Sequence, residues 1–142
     1  MKQAGISDIL NRVVVMHGRS LPVYLNDATP WTGRGTESAQ AALKSIAEDQ
    51  LLTVNRLADH IQSTGGAVNM GSFPMHYAGW HDLSLGFLTS KATENQAREI
   101  ANLESLLPQL DSDPKAKALV EEALGAAKAH LDTLADLNGT SN

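Results

Sequence analysis

The stretch IAEDQLLTVNRLADHIQSTGG, Ile46 to Gly66, decides how this chain folds. With Leu43 just upstream, its apolar residues draw one stripe through Leu43, Ile46, Ala47, Val54, Leu57, Ala58 and Ile61. Intervals of three and four residues are the period of an amphipathic helix, which buries one face. Gly65-Gly66 ends that helix, because glycine accepts the left-handed backbone of a helix C-terminus. Thr36 is a good N-cap and Glu37 suits the positive end of the helix dipole, so a helix over about 36–64 is expected. Gln50 interrupts the stripe at mid-length, accompanied by Thr53. An unpaired polar group in a core costs roughly 1–3 kcal/mol, so such a residue needs a reason to be there.

Three more seams follow the same plan. Ile6, Leu10, Val13, Val14, His17, Leu21, Tyr24 and Leu25 predict a first helix over about 7–26. Pro22 lies inside it and removes the bond to the Gly18 carbonyl, so a kink is expected one turn after His17. Residues 27–35 (DATPWTGRG) are dense in helix breakers and read as a loop. Leu85, Leu88, Ala92, Gln96, Ile100, Leu103, Leu107 and Leu110 predict a third helix over about 82–109. Asp113-Pro114 is a cap followed by proline at the first helical position, and it opens a fourth helix over 113–137. The stripe of that helix is Ala116, Leu119, Ala123, Ala127, His130, Leu134 and Leu137, and Asn138-Gly139 is its expected stop. Residues 65–81 have no period. They exceed the ~2–8 residues of an ordinary helix–helix loop and read as a crossover along the length of the helices.

Composition narrows the function classes. A chain of 142 residues, 42% hydrophobic, is long enough for one domain with its own core, so 1–142 is read as a single domain. Aromatics make up only 4% while Ala and Leu dominate, which favours helix over sheet. The net charge is −5 with no Lys/Arg cluster, and both nucleic acid and anionic membrane demand a basic face. Neither is expected as a partner. With no cysteine, disulfides, thiolate zinc sites and iron–sulfur clusters are excluded. The N-terminus lacks a basic start followed by an apolar run, and no stretch approaches the ~20 apolar residues of a membrane span. A cytoplasmic protein is expected.

Two helical hairpins joined by a long crossover form an all-α, ferritin-like, up-down four-helix bundle. The polar interruptions fit one level of it. Gln96 lies 16 residues before Ser112 and His130 lies 18 after it. At about 1.5 Å per residue they reach similar heights in an antiparallel pair. The chain also resembles the small bacterioferritin-like branch of the ferritin-like superfamily, most clearly over Ile46 to Gly66. There the family places Glu-x-x-His, then Arg-Leu, then an Ile before a Gly-Gly stop. His17, Ser20 and Tyr24-Leu25 resemble the first-helix segment with a ligand Glu, a Ser and Tyr-Leu, and Ala127-x-x-His130-Leu131 resembles the second Glu-x-x-His.

The resemblance implies a di-iron centre, and the residues at its positions depart from it. His17 stands at the first ligand Glu, and the first Glu-x-x-His reads Gln50-x-x-Thr53. Gln96 stands at the third-helix Glu, with Glu99 and Glu94 as the alternatives. The second pair reads Ala127-x-x-His130, so only His130 is unchanged. Two iron ions need carboxylates to neutralise their charge and supply hard oxygen ligands. The leading expectation is therefore a non-catalytic ferritin-like protein without ferroxidase activity or a cofactor, forming a dimer or larger homo-oligomer. One alternative is a single divalent transition metal ion on His17 and His130, completed by Gln50, Gln96 or Glu99. A second is a small molecule bound in the helical cavity.

Other polar and aromatic residues carry weaker signals. His60 suits a helix C-terminus, and His76 and His81 lack the spacing of two ligands on one helical face. No Ser–His–Asp arrangement can be assembled, and Gly33 to Gly35 lack the fuller phosphate-loop pattern. Phe73, Tyr77, Trp80 and Phe87, with Met70 and Met75, either cover the core or form a dimer face.

Overall fold

The computed structural model describes residues 2–27, 37–75, 77 and 85–140. Regular structure among them is entirely helical: α1 (Lys2–Gly18), α2 (Leu21–Asp27), α3 (Glu37–Ser63), α4 (Leu85–Leu106) and α5 (Pro114–Thr140). The expected loop over 28–35, the Thr36 cap and the helix start at 82–84 lie outside the described residues. Helices α1 and α2 lie along α3, α4 lies along α5, and α3 meets α5. Among the described residues, no helix is long and apolar enough to cross a membrane.

Local chemistry accounts for the element ends. At the close of α3, Gly65 adopts φ +85°. Gly66 N–H donates to Ile61 O at 2.9 Å and Gly65 N–H to Gln62 O at 3.1 Å, a pair of bonds that satisfies two orphan carbonyls. Gly66 is needed for a second reason: a Cβ there would collide with the Ser7 side chain and crowd Ile61. Asp113 caps α5, accepting from Ala116 N–H at 3.1 Å, and Pro114 occupies the first helical position.

Four boundaries differ from the periodicity. Helix α1 begins at Lys2 rather than near Ser7, because its first residues continue the helix without contributing to the apolar stripe. The kink expected from Pro22 is a full break at Arg19–Ser20. Pro22 then lies in the first turn of α2, where its missing N–H leaves no bond unmade. The third helix ends its α geometry at Leu106 and tightens into a 3₁₀ turn, Leu107–Leu110, with Pro108 in its first turn. The fourth continues through Asn138-Gly139 to Thr140.

The described part of the crossover follows α1 from end to end. Asn11 is its main tether, donating from Nδ2 to Ala67 O at 2.9 Å and accepting from Asn69 N–H at 2.8 Å. Gly71, at φ +63°, passes so close that a Cβ would sit 2.9 Å from Val15. Beyond it Arg19 Nε donates to Met70 O at 3.1 Å and Gly71 O at 3.3 Å. Phe73 and Tyr77 then pack on Tyr24, with centroids at 5.2 and 5.6 Å, and the Arg19 guanidinium lies 4.9 Å from the Phe73 centroid. Phe73 and Tyr77 therefore cover the core, while Met75 is almost fully exposed and Phe87 and Met70 are partly so.

Asp113 also ties the α3 end to the α5 start, with His60 Nε2 at 2.9 Å from its Oδ2. Burial pushes its carboxyl upward, yet the bonds from His60 and from Ala116 and Lys115 N–H outweigh this and hold it below the usual range. A depressed carboxyl adds stability above its unfolded pKa and loses it as pH falls through the folded value. Asp113→Asn keeps the cap but removes this titration. Urea unfolding is expected to show the wild-type advantage over Asp113→Asn shrinking between about pH 5 and pH 2. A constant difference across that window would contradict this role.

Candidate functional site

Each seam changes character at the same level. One apolar cluster holds Leu10, Val14, Leu57, Ile61, Leu103 and Val120, among others. A second holds Leu21, Leu25, Ile46, Leu88 and Leu134 with Tyr77. Between them along the helices lie His17, Ser20, Gln50, Gln96 and Glu99, all buried. The helix break puts Ser20 in this layer: its Oγ accepts from Val23 N–H at 3.3 Å as the cap of α2. The same hydroxyl donates to Gln50 Oε1 at 2.5 Å. Gln96 Nε2 donates across to the Ala127 carbonyl of α5 at 3.1 Å.

His17 and Glu99 form the charged part of the layer. Nδ1 lies 3.2 Å from Oε1, with the two side chains 4% and 10% exposed. This is electrostatic proximity without an aligned hydrogen bond, since neither atom has a hydrogen-bond partner. Gln50 Nε2 and Gln96 Oε1 are buried without partners as well. Four unsatisfied polar atoms in one layer are unusual, because native structures rarely leave such groups orphaned.

The structure brings together His17 and Glu99, and it pairs Gln50 with Ser20 rather than with a histidine. His130 is turned elsewhere. Its Nε2 lies 3.0 Å from Oδ2 of Asp49, whose side chain is 57% exposed at the α3–α5 edge. Thr53 bonds back to its own helix at the Asp49 carbonyl, and Glu94 pairs outside with Lys91. Among the described residues, no group of three or more His, Asp or Glu side chains is arranged to hold a metal ion. His60 lies in the last turn of α3, the helix-end position read from the sequence, and is also bonded to Asp113. His76, His81, Trp80 and Gly33 to Gly35 lie outside the described residues.

The layer is reached from the surface. A cleft of about 270 Å³ opens between the α1–α2 break, the crossover and α4, with Ser20 and Glu99 among its walls. Arg19, Arg98, Asn95 and Tyr77 also border it. The Tyr77 hydroxyl is raised above its ordinary pKa by burial and then by the Glu99 carboxylate, with Arg98 opposing both. Periodicity could not have supplied Arg19, Tyr77 or Asp49, which lie off the stripes or on the aperiodic crossover. Ser20 two residues before Pro22 is the local signal of a helix start there, and Ser20 and Leu21 line the cleft.

No family model matches this sequence, and no curated protein matches it significantly.

Ser20 both caps α2 and satisfies Gln50, so Ser20→Ala is expected to cost roughly 1–3 kcal/mol in chemical denaturation. Adding Gln50→Leu removes the stranded amide, and the double variant is expected to recover part of that loss. Strictly additive losses would show that the two side chains are not coupled.

Proposed function

We propose that this chain is a ferritin-like four-helix bundle whose metal level has become a hydrogen-bonding layer, and that it works as a non-enzymatic binding protein. The observation that carries the reading is the donor set. Among the described residues at this level only Glu99 brings a buried carboxylate, beside His17, Ser20 and two glutamines. That set does not fit two iron ions, which need several carboxylates to balance their charge, while amide ligands are weak. The polar residues instead satisfy one another in part, and two members of the layer, Ser20 and Glu99, line an open cleft. Sites between helices are a common place for small-molecule binding. Exposed apolar side chains, Leu51, Leu52, Met70, Met75 and Phe87 among the described residues, suit a self-association surface, so the working form is proposed as a dimer or larger assembly.

The reading with a single metal ion on His17 and His130 is disfavoured by the engagement of His130 with Asp49 on the outer edge.

Iron loading is the direct test. Protein purified without chelators and then titrated with ferrous iron is expected to hold well under one equivalent per chain and to consume no peroxide. Two equivalents per chain with peroxide-dependent turnover would overturn the reading.

A further inference from the structure

The cleft between the α1–α2 break, the crossover and α4 has two arginines in its walls, Arg19 and Arg98. Elsewhere Arg56 pairs with Glu122 at 3.1 Å, whereas among the described residues neither cleft arginine has a carboxylate within ion-pair distance. Arg19 is fixed all the same. Its Nε donates to the Met70 and Gly71 carbonyls, and its guanidinium lies over the Phe73 ring. Those contacts use one nitrogen of the fork and leave its two terminal nitrogens without a partner among the described residues. A guanidinium held in this way has already lost its rotamer freedom. An oxyanion that takes the terminal N–H groups therefore gains a charge-assisted, bidentate contact at little further ordering cost.

The rest of the lining narrows the anion. Among the described residues Glu99 is the one carboxylate in these walls, buried and facing His17 Nδ1 at 3.2 Å. Its charge opposes any anion nearby, and it opposes a doubly charged phosphate ester about twice as strongly as a single carboxylate. Val15, Met16, Leu21 and Pro74 give the lining an apolar part that suits a hydrocarbon body. The cleft volume is about 270 Å³. At the ~30 Å³ that one water occupies in the liquid, this is about nine water volumes, room for a short chain and less than a drug-sized ligand needs.

We propose that this cleft binds a short-chain aliphatic monocarboxylate, its carboxylate on the Arg19 guanidinium and its hydrocarbon part against the apolar residues of the lining. This rests on the reading of the chain as a non-enzymatic binding protein and names its ligand class. Arg98, which donates to Asn95 Oδ1 one turn back on α4, adds a second positive charge to the same walls.

Titration calorimetry with butyrate, beside acetate, butyramide, butylamine and methyl phosphate, tests the assignment. Butyrate is expected to saturate the protein with a Kd below about 1 mM. Butyramide, butylamine and methyl phosphate are expected to bind at least about tenfold more weakly, and acetate, which buries less hydrocarbon, at least about threefold more weakly. Arg19→Gln is expected to weaken butyrate binding at least about tenfold. Because Arg19 also holds the crossover, two exposed positions on α4 supply variants that leave that tether intact. Arg98→Gln is expected to weaken butyrate binding at least about threefold, and Asn102→Trp to abolish it by filling the cleft, with helicity checked by circular dichroism. The assignment fails if butyrate has not saturated by about 10 mM, if butyramide binds equally well, or if either α4 variant leaves binding unchanged. Preferential binding of methyl phosphate or butylamine would overturn the ligand class and leave the binding-protein reading standing. Stoichiometric iron uptake would remove that reading as well.

Discussion

The structure depends on a shared constraint: the seams of α1, α3 and α4 bury polar side chains at one level, and a buried polar group must find a partner. The helix break at Arg19–Ser20 is part of the answer, because it frees the Ser20 hydroxyl to cap α2 and to donate to Gln50 at 2.5 Å. Gln96 finds the Ala127 carbonyl, and His17 finds the Glu99 carboxylate. The two hydrogen bonds leave over an amide N–H of Gln50 and an amide oxygen of Gln96, and His17 Nδ1 and Glu99 Oε1 lie close to each other in the same layer without an aligned hydrogen bond. Two apolar clusters hold the helices together on either side, so the layer can be incompletely satisfied without the fold failing. The leftover polarity sets this level apart from the apolar clusters on either side.

Much of the fold was legible because its signals are local. The α3 stripe, the Gly65-Gly66 stop and the Asp113-Pro114 start each involve residues within a turn of one another, and each acts as its chemistry dictates. The misplaced boundaries have local causes too, read with the wrong weight. Within the first stripe Pro22 reads as an interior defect, whereas Ser20 two residues earlier makes it part of a new helix start. Pro108 shifts the end of α4 into 3₁₀ geometry instead of sitting inside a continuing helix.

The site was legible only in part, for a geometric reason. A helical stripe reports which face a residue is on, with about 100° between neighbours, but not whether its tip aims at the centre or along an edge. His17, Gln50, Gln96 and Glu99 share the buried level. His130 occupies an equally regular stripe position and yet reaches sideways to Asp49. That choice depends on the spacing of α3 and α5, which no single-helix pattern encodes. Arg19, Tyr77 and the other residues that shape the cleft are set by the path of the crossover, held by Asn11 on one side and Phe73 on the other. An aperiodic segment announces its length and nothing of that path.

The central claim is that the buried layer is a hydrogen-bonding site and not a metal centre. Anomalous diffraction from crystals soaked in turn with ferrous, zinc and copper ions, recorded at each absorption edge, tests it most directly. The account predicts no anomalous peak within coordination distance of His17 Nδ1 and Glu99 Oε1, at about 2.0–2.3 Å from either atom. A peak there, with Gln50 or Gln96 completing the shell, would contradict it.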